Sequence, residues 1–165
     1  MPWPSATQLD TVRLILEPLK SRHATEMVPV LAASELYTFT GGEPPTEEIL
    51  RSRYRRQAVG HSPASDAGWL NWIIRVKATR VAVGYVQATL TDEDDALIAD
   101  AAWIVTPSAQ HGGIATEAAG AMLAWLLDQQ VVGVRALIHP DHQASARVAR
   151  RLGFVSRAEA KSLGG

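Results

Sequence analysis

Cysteine is absent from the 165 residues. That excludes a disulfide framework, a thiolate metal site and a cysteine nucleophile together. Excess charge is absent too, since 16 Lys and Arg face 17 Asp and Glu. No global field therefore draws the chain to nucleic acid or to an acidic membrane surface. Long apolar runs are missing: the longest, AMLAWLL at 121–127, falls far short of the ~20 residues a membrane span needs. The opening MPWPSATQLD has neither a basic region nor an apolar core, so no signal peptide is expected. Internal repeats and low-complexity tracts are lacking as well. What remains is the frame of a single cytoplasmic domain over residues 1–165, long enough for one sizeable core, with neither nucleic acid nor membrane as a partner.

Hydrophobic periodicity organises that frame. TVRLILEPL, residues 11–19, sets Val12, Leu14 and Leu16 on one face and predicts a first strand. Ser21 reads as the N-cap of a helix to about Ala33, and Thr46 as the cap of a second, EEILRSRYRRQ. WLNWIIRV and VAVGYVQATL, split by KATR, predict a hairpin, and TDEDD predicts another, solvated turn. ALIADAAWIV and VGVRALIHP are nearly all apolar, as expected for strands covered on both faces. Between them Ile114, Ala118, Met122, Trp125 and Leu126 recur at helical spacing, so 96–138 should be a right-handed parallel crossover. HQASARVARRLG predicts a helix closing on a left-handed Gly153, with a short last strand from Phe154.

The stretch TPSAQHGGIATEAAG, residues 106–120, places Gly112 and Gly113 where the central helix should begin. The first turn of a helix leaves N–H groups unpaired and carries partial positive charge. Glycine there lets a bulky anion reach the backbone; small Ala115 keeps the approach open and Thr116 adds a donor. A pyrophosphate is the natural guest, while the plainer reading is that the glycines only let the chain turn sharply.

The pattern Gln110-x-x-Gly113-x-Ala115 after an apolar strand resembles the coenzyme-A pyrophosphate loop of the GNAT superfamily of acyl-CoA-dependent N-acyltransferases. TVRLILEPL is similar to the opening strand of its ribosomal-protein-N-terminal-acetyltransferase-like branch, and HPDHQASARVARRLGF resembles that branch's second signature. ELYTFTGGEPPT, LNWIIR and GYVQATL resemble actinobacterial-type members. The resemblance spans roughly residues 11–154. It implies a mixed α/β fold: a central, mostly antiparallel sheet with a parallel, splayed fourth and fifth strand pair flanked by helices. It also implies that acetyl-CoA or coenzyme A is the co-substrate, with no metal, and that pantetheine lies along the backbone of Trp103, Ile104 and Val105. His111, Gly112, Gly113, Ile114, Ala115 and Thr116 with Gln110 would then hold the pyrophosphate. The implied reaction is transfer to an amine, on a small molecule or a protein N-terminus; the competing class is an acyl-CoA-binding or sensing module without turnover.

An amine must be neutral to attack a thioester, so a general base helps. Asp100 is the one ionisable residue within its apolar strand. It is either a base, acting through water because the branch carries a longer glutamate there, or a carboxylate exposed at a strand edge. Ser145 matches the branch's Ala-Ser serine, placed to pass a proton to the leaving thiolate; alternatively it satisfies helix N–H groups. The superfamily's acid tyrosine has no counterpart, since Tyr37, Tyr54 and Tyr85 all precede this helix. His142 can bond the pantetheine amide. Its spacing from His139 suggests a metal only weakly, with Pro140 between them and no third ligand. Tyr37, Phe39, Asn71, Trp72, Gln87 and His139 are the acceptor-side candidates, against the reading that such aromatics are core. Arg147, Arg150 and Arg151 are a solvated helix face or phosphate partners. The short tail after Phe154 leaves the last strand missing, very short, or supplied by a second subunit of a homodimer.

Overall fold

The computed structural model describes residues 3–157. Among these residues six strands form one sheet in sequential order: β1 (Leu9–Asp10), β2 (Leu14–Pro18), β3 (Gly68–Val76), β4 (Ala82–Glu93), β5 (Ala96–Val105) and β6 (Val131–Arg135). All neighbours are antiparallel except β5 and β6. Among the described residues four α-helices flank the sheet: α1 (His23–Val30), α2 (Glu47–Gln57), α3 (Ile114–Asp128) and α4 (Gln143–Arg151). None of the helices described is long and apolar enough to cross a membrane.

Local chemistry explains most of these elements. Thr46 caps α2 through its side chain, which accepts from the Ile49 N–H at 3.2 Å. Asp94 and Asp95, both at positive φ, make the two-residue turn between β4 and β5. Gly153, at φ 93°, follows α4 in the left-handed conformation. α1, by contrast, is not capped by Ser21: its N-cap is Arg22, with no side-chain cap bond. The acceptor there is Ser21's backbone carbonyl, which takes the Ala24 N–H. Residues 154–156 form no strand, and 158–165 lie outside the described residues.

The sheet divides the core in two. Leu14, Leu16, Leu70, Trp72, Ile74 and Val86 face α3 with its buried Ala118, Met122 and Leu126. Ile73 and Tyr85 face α1 and α2, meeting Met27, Leu50 and Tyr54. β5 buries Ala99, Ala101, Trp103 and Val105 and leaves Asp100, Ala102 and Ile104 partly open. It is therefore not covered on both faces, and its run of small apolar residues only resembles a fully buried strand. β6 is shorter than the apolar run suggests, ending at Arg135, and Leu137 beyond it is fully exposed.

A charged knot ties α1 to the sheet. Arg75 holds Glu17 at 2.8 Å and Glu26 at 2.7 Å. Its hydrogen bonds hold both carboxyls below the ordinary carboxylate range. His23 lies buried beside Glu17, its Nδ1 accepting the Lys20 N–H at 2.9 Å, and burial pushes its pKa down. A buried neutral histidine takes up its proton only on unfolding. Stability should therefore fall as pH drops through about 6.5, where unfolded histidine protonates. A second loss follows below about 4.3, as Glu17 and Glu26 are protonated through their lowered values. Urea midpoints followed against pH should show both limbs, and His23→Asn should shrink the first.

Candidate active site

β6 accompanies β5 only from Leu97↔Val131 to Asp100↔Arg135. Past that point β5 continues to Val105, and among the described residues no strand covers its outer edge. The Thr106 N–H bonds across to Val83 on β4 at 2.8 Å. Strand alternation then turns the peptide groups of Ile104 toward β4 and those of Trp103 and Val105 outward. The Val105 carbonyl is occupied by the Gln110 side-chain amide at 2.8 Å. Trp103's peptide groups and the Val105 N–H are left along the open edge, ready for an added extended chain. Ile104 contributes its side chain rather than its backbone, a correction to the sequence expectation. A Cβ at Gly84 would overlap the Ile104 carbonyl oxygen, so glycine is required where β4 crosses this segment.

Below that edge lies a cavity of about 500 Å³, lined by Trp103, Ile104, Val105, Gln110, His111, Gly113, Ile114, Ala115 and Thr116 from the strand and glycine loop. His142, Ser145, Arg147 and Arg151 of the α4 segment complete it. Arg147 and Arg151 are four apart and share a helix face; Arg150 does not line the cavity. Among the described residues Glu35 is the only acid in the lining, so the site suits a polyanion. Gly113 is the N-cap of α3 at φ 78°, and His111 is also left-handed at φ 72°. Gly112 lies outside the cavity, its carbonyl accepting Arg13 Nη1 at 2.8 Å. Arg13 in turn holds Glu117 at 2.7 Å. Burial works against the Glu117 carboxylate, yet bonds from Thr11 and Arg13 keep its pKa below the ordinary range. This clamp, about a hundred residues apart in sequence, left no local signal.

The geometry separates two uses of Gly113. Valine there suffers left-handed strain, costing roughly 1–2 kcal/mol, so a bulky substitution cannot be neutral to the fold. Asparagine tolerates that conformation better, and its side chain, with Cβ 3.5 Å from Arg13 Nη2, adds bulk at a residue that lines the cavity. Gly113→Asn should keep its unfolding midpoint and weaken coenzyme A at least about tenfold by calorimetry, leaving pantetheine, which lacks the pyrophosphate, unmoved. Unchanged coenzyme binding would reduce the glycine to a turn.

A second cavity, of about 300 Å³, lies on the α1–α2 side of the sheet. Tyr37, Asn71 and Gln87 line it, together with Arg53, Tyr54 and Tyr85, which sequence reasoning passed over. Leu36, Thr40 and Ile104 belong to both cavities, so the two meet there. Trp72 belongs to that lining too, but its ring is turned away from the cleft, and two further acceptor-side expectations, Phe39 and His139, fail. Trp72 is fully buried, its ring edge-on to Trp125 at 5.3 Å and its Nε1 donating to the Thr7 carbonyl at 2.7 Å. Alternation puts that ring on the face opposite Asn71. Phe39 lines the coenzyme-side cavity instead, stacked on His142 at 4.7 Å and tilted against His139 at 5.1 Å. His139 lines neither cavity.

Of the catalytic candidates, Ser145 Oγ lies 3.3 Å from His142 Nε2 and caps nothing. Burial, with His139 nearby, pushes the His142 pKa down, so its ring is neutral at neutral pH. Asp100 lines neither cavity. It sits where β6 leaves β5, half-exposed, with Arg135 donating to both its carboxylate oxygens at 3.0 Å. It shares a strand face with Ile104, about 13 Å further along at ~3.3 Å per residue. Direct contact with a group beside Ile104 is excluded. Among the described residues no cluster of three or more His, Asp or Glu is placed to hold a metal ion.

A family model described as "Acetyltransferase (GNAT) domain" matches residues 13–155. No curated protein sequence matches the chain. Solved structures share the fold at low identity. A GNAT-family acetyltransferase from Bacillus anthracis superposes with a TM-score of 0.73 at 17% identity, covering 90% of this chain and 84% of its own. The Salmonella typhimurium acetyltransferase that modifies the N-terminal serine of ribosomal protein L7/L12 gives 0.74 at 17%, covering 88% and 82%. The aminoglycoside acetyltransferase AAC(6')-Ib in complex with coenzyme A gives 0.70 at 16%, covering 86% and 84%. With its parted β5 and β6, glycine-opened α3 and basic cavity, the chain belongs to the GNAT acetyltransferase family, N-acetyltransferases whose co-substrate is acetyl-coenzyme A.

Proposed function

We propose that the chain transfers the acetyl group of acetyl-CoA directly to a primary amine of a small molecule or a protein N-terminus. The meeting of the two cavities at Leu36, Thr40 and Ile104 supports this reading. It allows a thioester from the coenzyme side and an amine from the other to come together without an acylated enzyme. The relatives' names carry both kinds of acceptor, the ribosomal N-terminal serine and the aminoglycosides.

In this reading the amine nitrogen attacks the thioester carbonyl, a C–N bond forms and the C–S bond breaks. The Trp103 N–H on the open strand edge stabilises the oxyanion. Ser145, hydrogen-bonded to His142, passes a proton to the thiolate. Asp100 takes the proton lost by the amine through bridging water. Balanced over the cycle, the products are an N-acetyl amine and free coenzyme A. Thiol release from acetyl-CoA against a panel of small amines and peptides tests it. The engagement of Asp100 by Arg135 favours the sensor as second reading: tight acetyl-CoA binding with no release from any member of the panel would select it.

A further inference from the structure

The α1–α2 side cavity has an unusual charge pattern. Among the described residues its only ionised lining residue is Arg53, and no Asp, Glu or Lys borders it. Arg51 and Arg56 on the same helix are engaged, by Glu47 with Thr25 and by Ser52. Arg53 has no ion pair or hydrogen bond among the described residues. Beside it the Tyr54 hydroxyl is buried with no hydrogen-bond partner, on a side chain only 5% exposed. Leaving such a group unpaired is costly, and although the oxygen is closed to solvent here, a small shift of the ring would let an acceptor atom brought by a ligand relieve it. The rest of the wall is mixed: Leu36, Leu50 and Ile73 are apolar, while Tyr37, Thr40, Gln57, Asn71 and Gln87 add uncharged polar groups.

We infer that the acceptor is a compact amine carrying one carboxylate on an otherwise uncharged body, the carboxylate meeting Arg53 and the Tyr54 hydroxyl while the amine points toward Ile104. This rests on the acetyl-transfer reading and narrows its substrate class. Arg53 is suited to a carboxylate by its planar fork of donors. Burial pushes the Tyr54 pKa up, so it remains a neutral donor. A positive wall without carboxylates also disfavours ammonium and so favours the neutral amine that attacks. A polycation such as an aminoglycoside would find no anion in this lining. The cavity's volume of about 300 Å³ lies at the small end of ligand sites, ~300–1,000 Å³, which fits a small molecule better than a peptide chain.

The test is calorimetric titration of the full chain saturated with coenzyme A. Leucine, phenylalanine and 6-aminohexanoate are set against leucinamide, phenylalaninamide and hexylamine, with an aminoglycoside and a serine-starting peptide amide alongside. The carboxylates should bind at least about tenfold tighter than their neutral partners. Arg53→Gln, at an exposed position, should erase that preference and leave the amides and coenzyme A unchanged; Tyr54→Phe should weaken the carboxylates in the same sense. The inference is overturned if no carboxylate binds, if amides bind as well, if the aminoglycoside or peptide binds tightest, or if Arg53→Gln leaves the preference intact. Carboxylate binding without thiol release upholds the carboxylate site and sinks the transfer reading. Thiol release indifferent to the carboxylate does the reverse.

Discussion

Asparagine in place of Asp100 is expected to slow acetyl transfer by roughly 10²–10⁴, the range of a lost general base, or about 2.7–5.4 kcal/mol on the barrier. The fold should barely respond. Asp100 is half-exposed in its pair with Arg135, a solvent-screened pair that contributes little to stability, and Arg135 keeps Glu93 at 2.9 Å. Coenzyme affinity should also hold, because the cavity for it is built by other residues. The deficit should shrink as pH rises toward the acceptor's own pKa, where amines become neutral unaided. Asp100→Glu should retain most of the rate, the longer side chain shortening the water path. A rate indifferent to Asp100→Asn at neutral pH would leave solvent as the base.

The second large effect falls on stability. Trp72→Ala should cost about 3–5 kcal/mol, a large share of the ~5–15 kcal/mol that holds a domain together. The ring is fully buried against Trp125, and its loss also frees the Thr7 carbonyl. The urea midpoint should drop sharply with the slope unchanged. Trp72→Phe keeps most of the packing and should cost much less. An acceptor-binding tryptophan would behave oppositely, raising KM for the amine while sparing the fold.

Trp72 also shows where sequence stops informing. WLNWIIRV announces a strand, but its two faces carry Trp69, Asn71 and Ile73 against Leu70, Trp72 and Ile74. With apolar residues on both, alternation alone does not say which face meets the cleft. The glycine loop was legible because helix starts are written in consecutive residues, as was the Thr46 cap. Ser21 misled because a favourable capping residue one position too early is indistinguishable from a cap until the turn closes. The clamp of Arg13 on Gly112 and Glu117, and the stacking of Phe39 on His142, join segments about a hundred residues apart. Single-sequence patterns carry no record of such meetings. Arg53 and Tyr54 were hidden differently: in EEILRSRYRRQ they sit among charged neighbours and read as an ordinary solvated helix.

The two cavities have separate linings and touch only around Leu36, Thr40 and Ile104. Neither substrate therefore has to pass through the other's doorway. Turnover should go through a ternary complex, with double-reciprocal lines that intersect when one substrate is varied at fixed levels of the other. Parallel lines, the sign of an acylated enzyme, are not expected. Coenzyme A should inhibit competitively against acetyl-CoA but not against the amine. Departure of the spent coenzyme need not wait for the acetylated product, so the protein can begin its next cycle from either side.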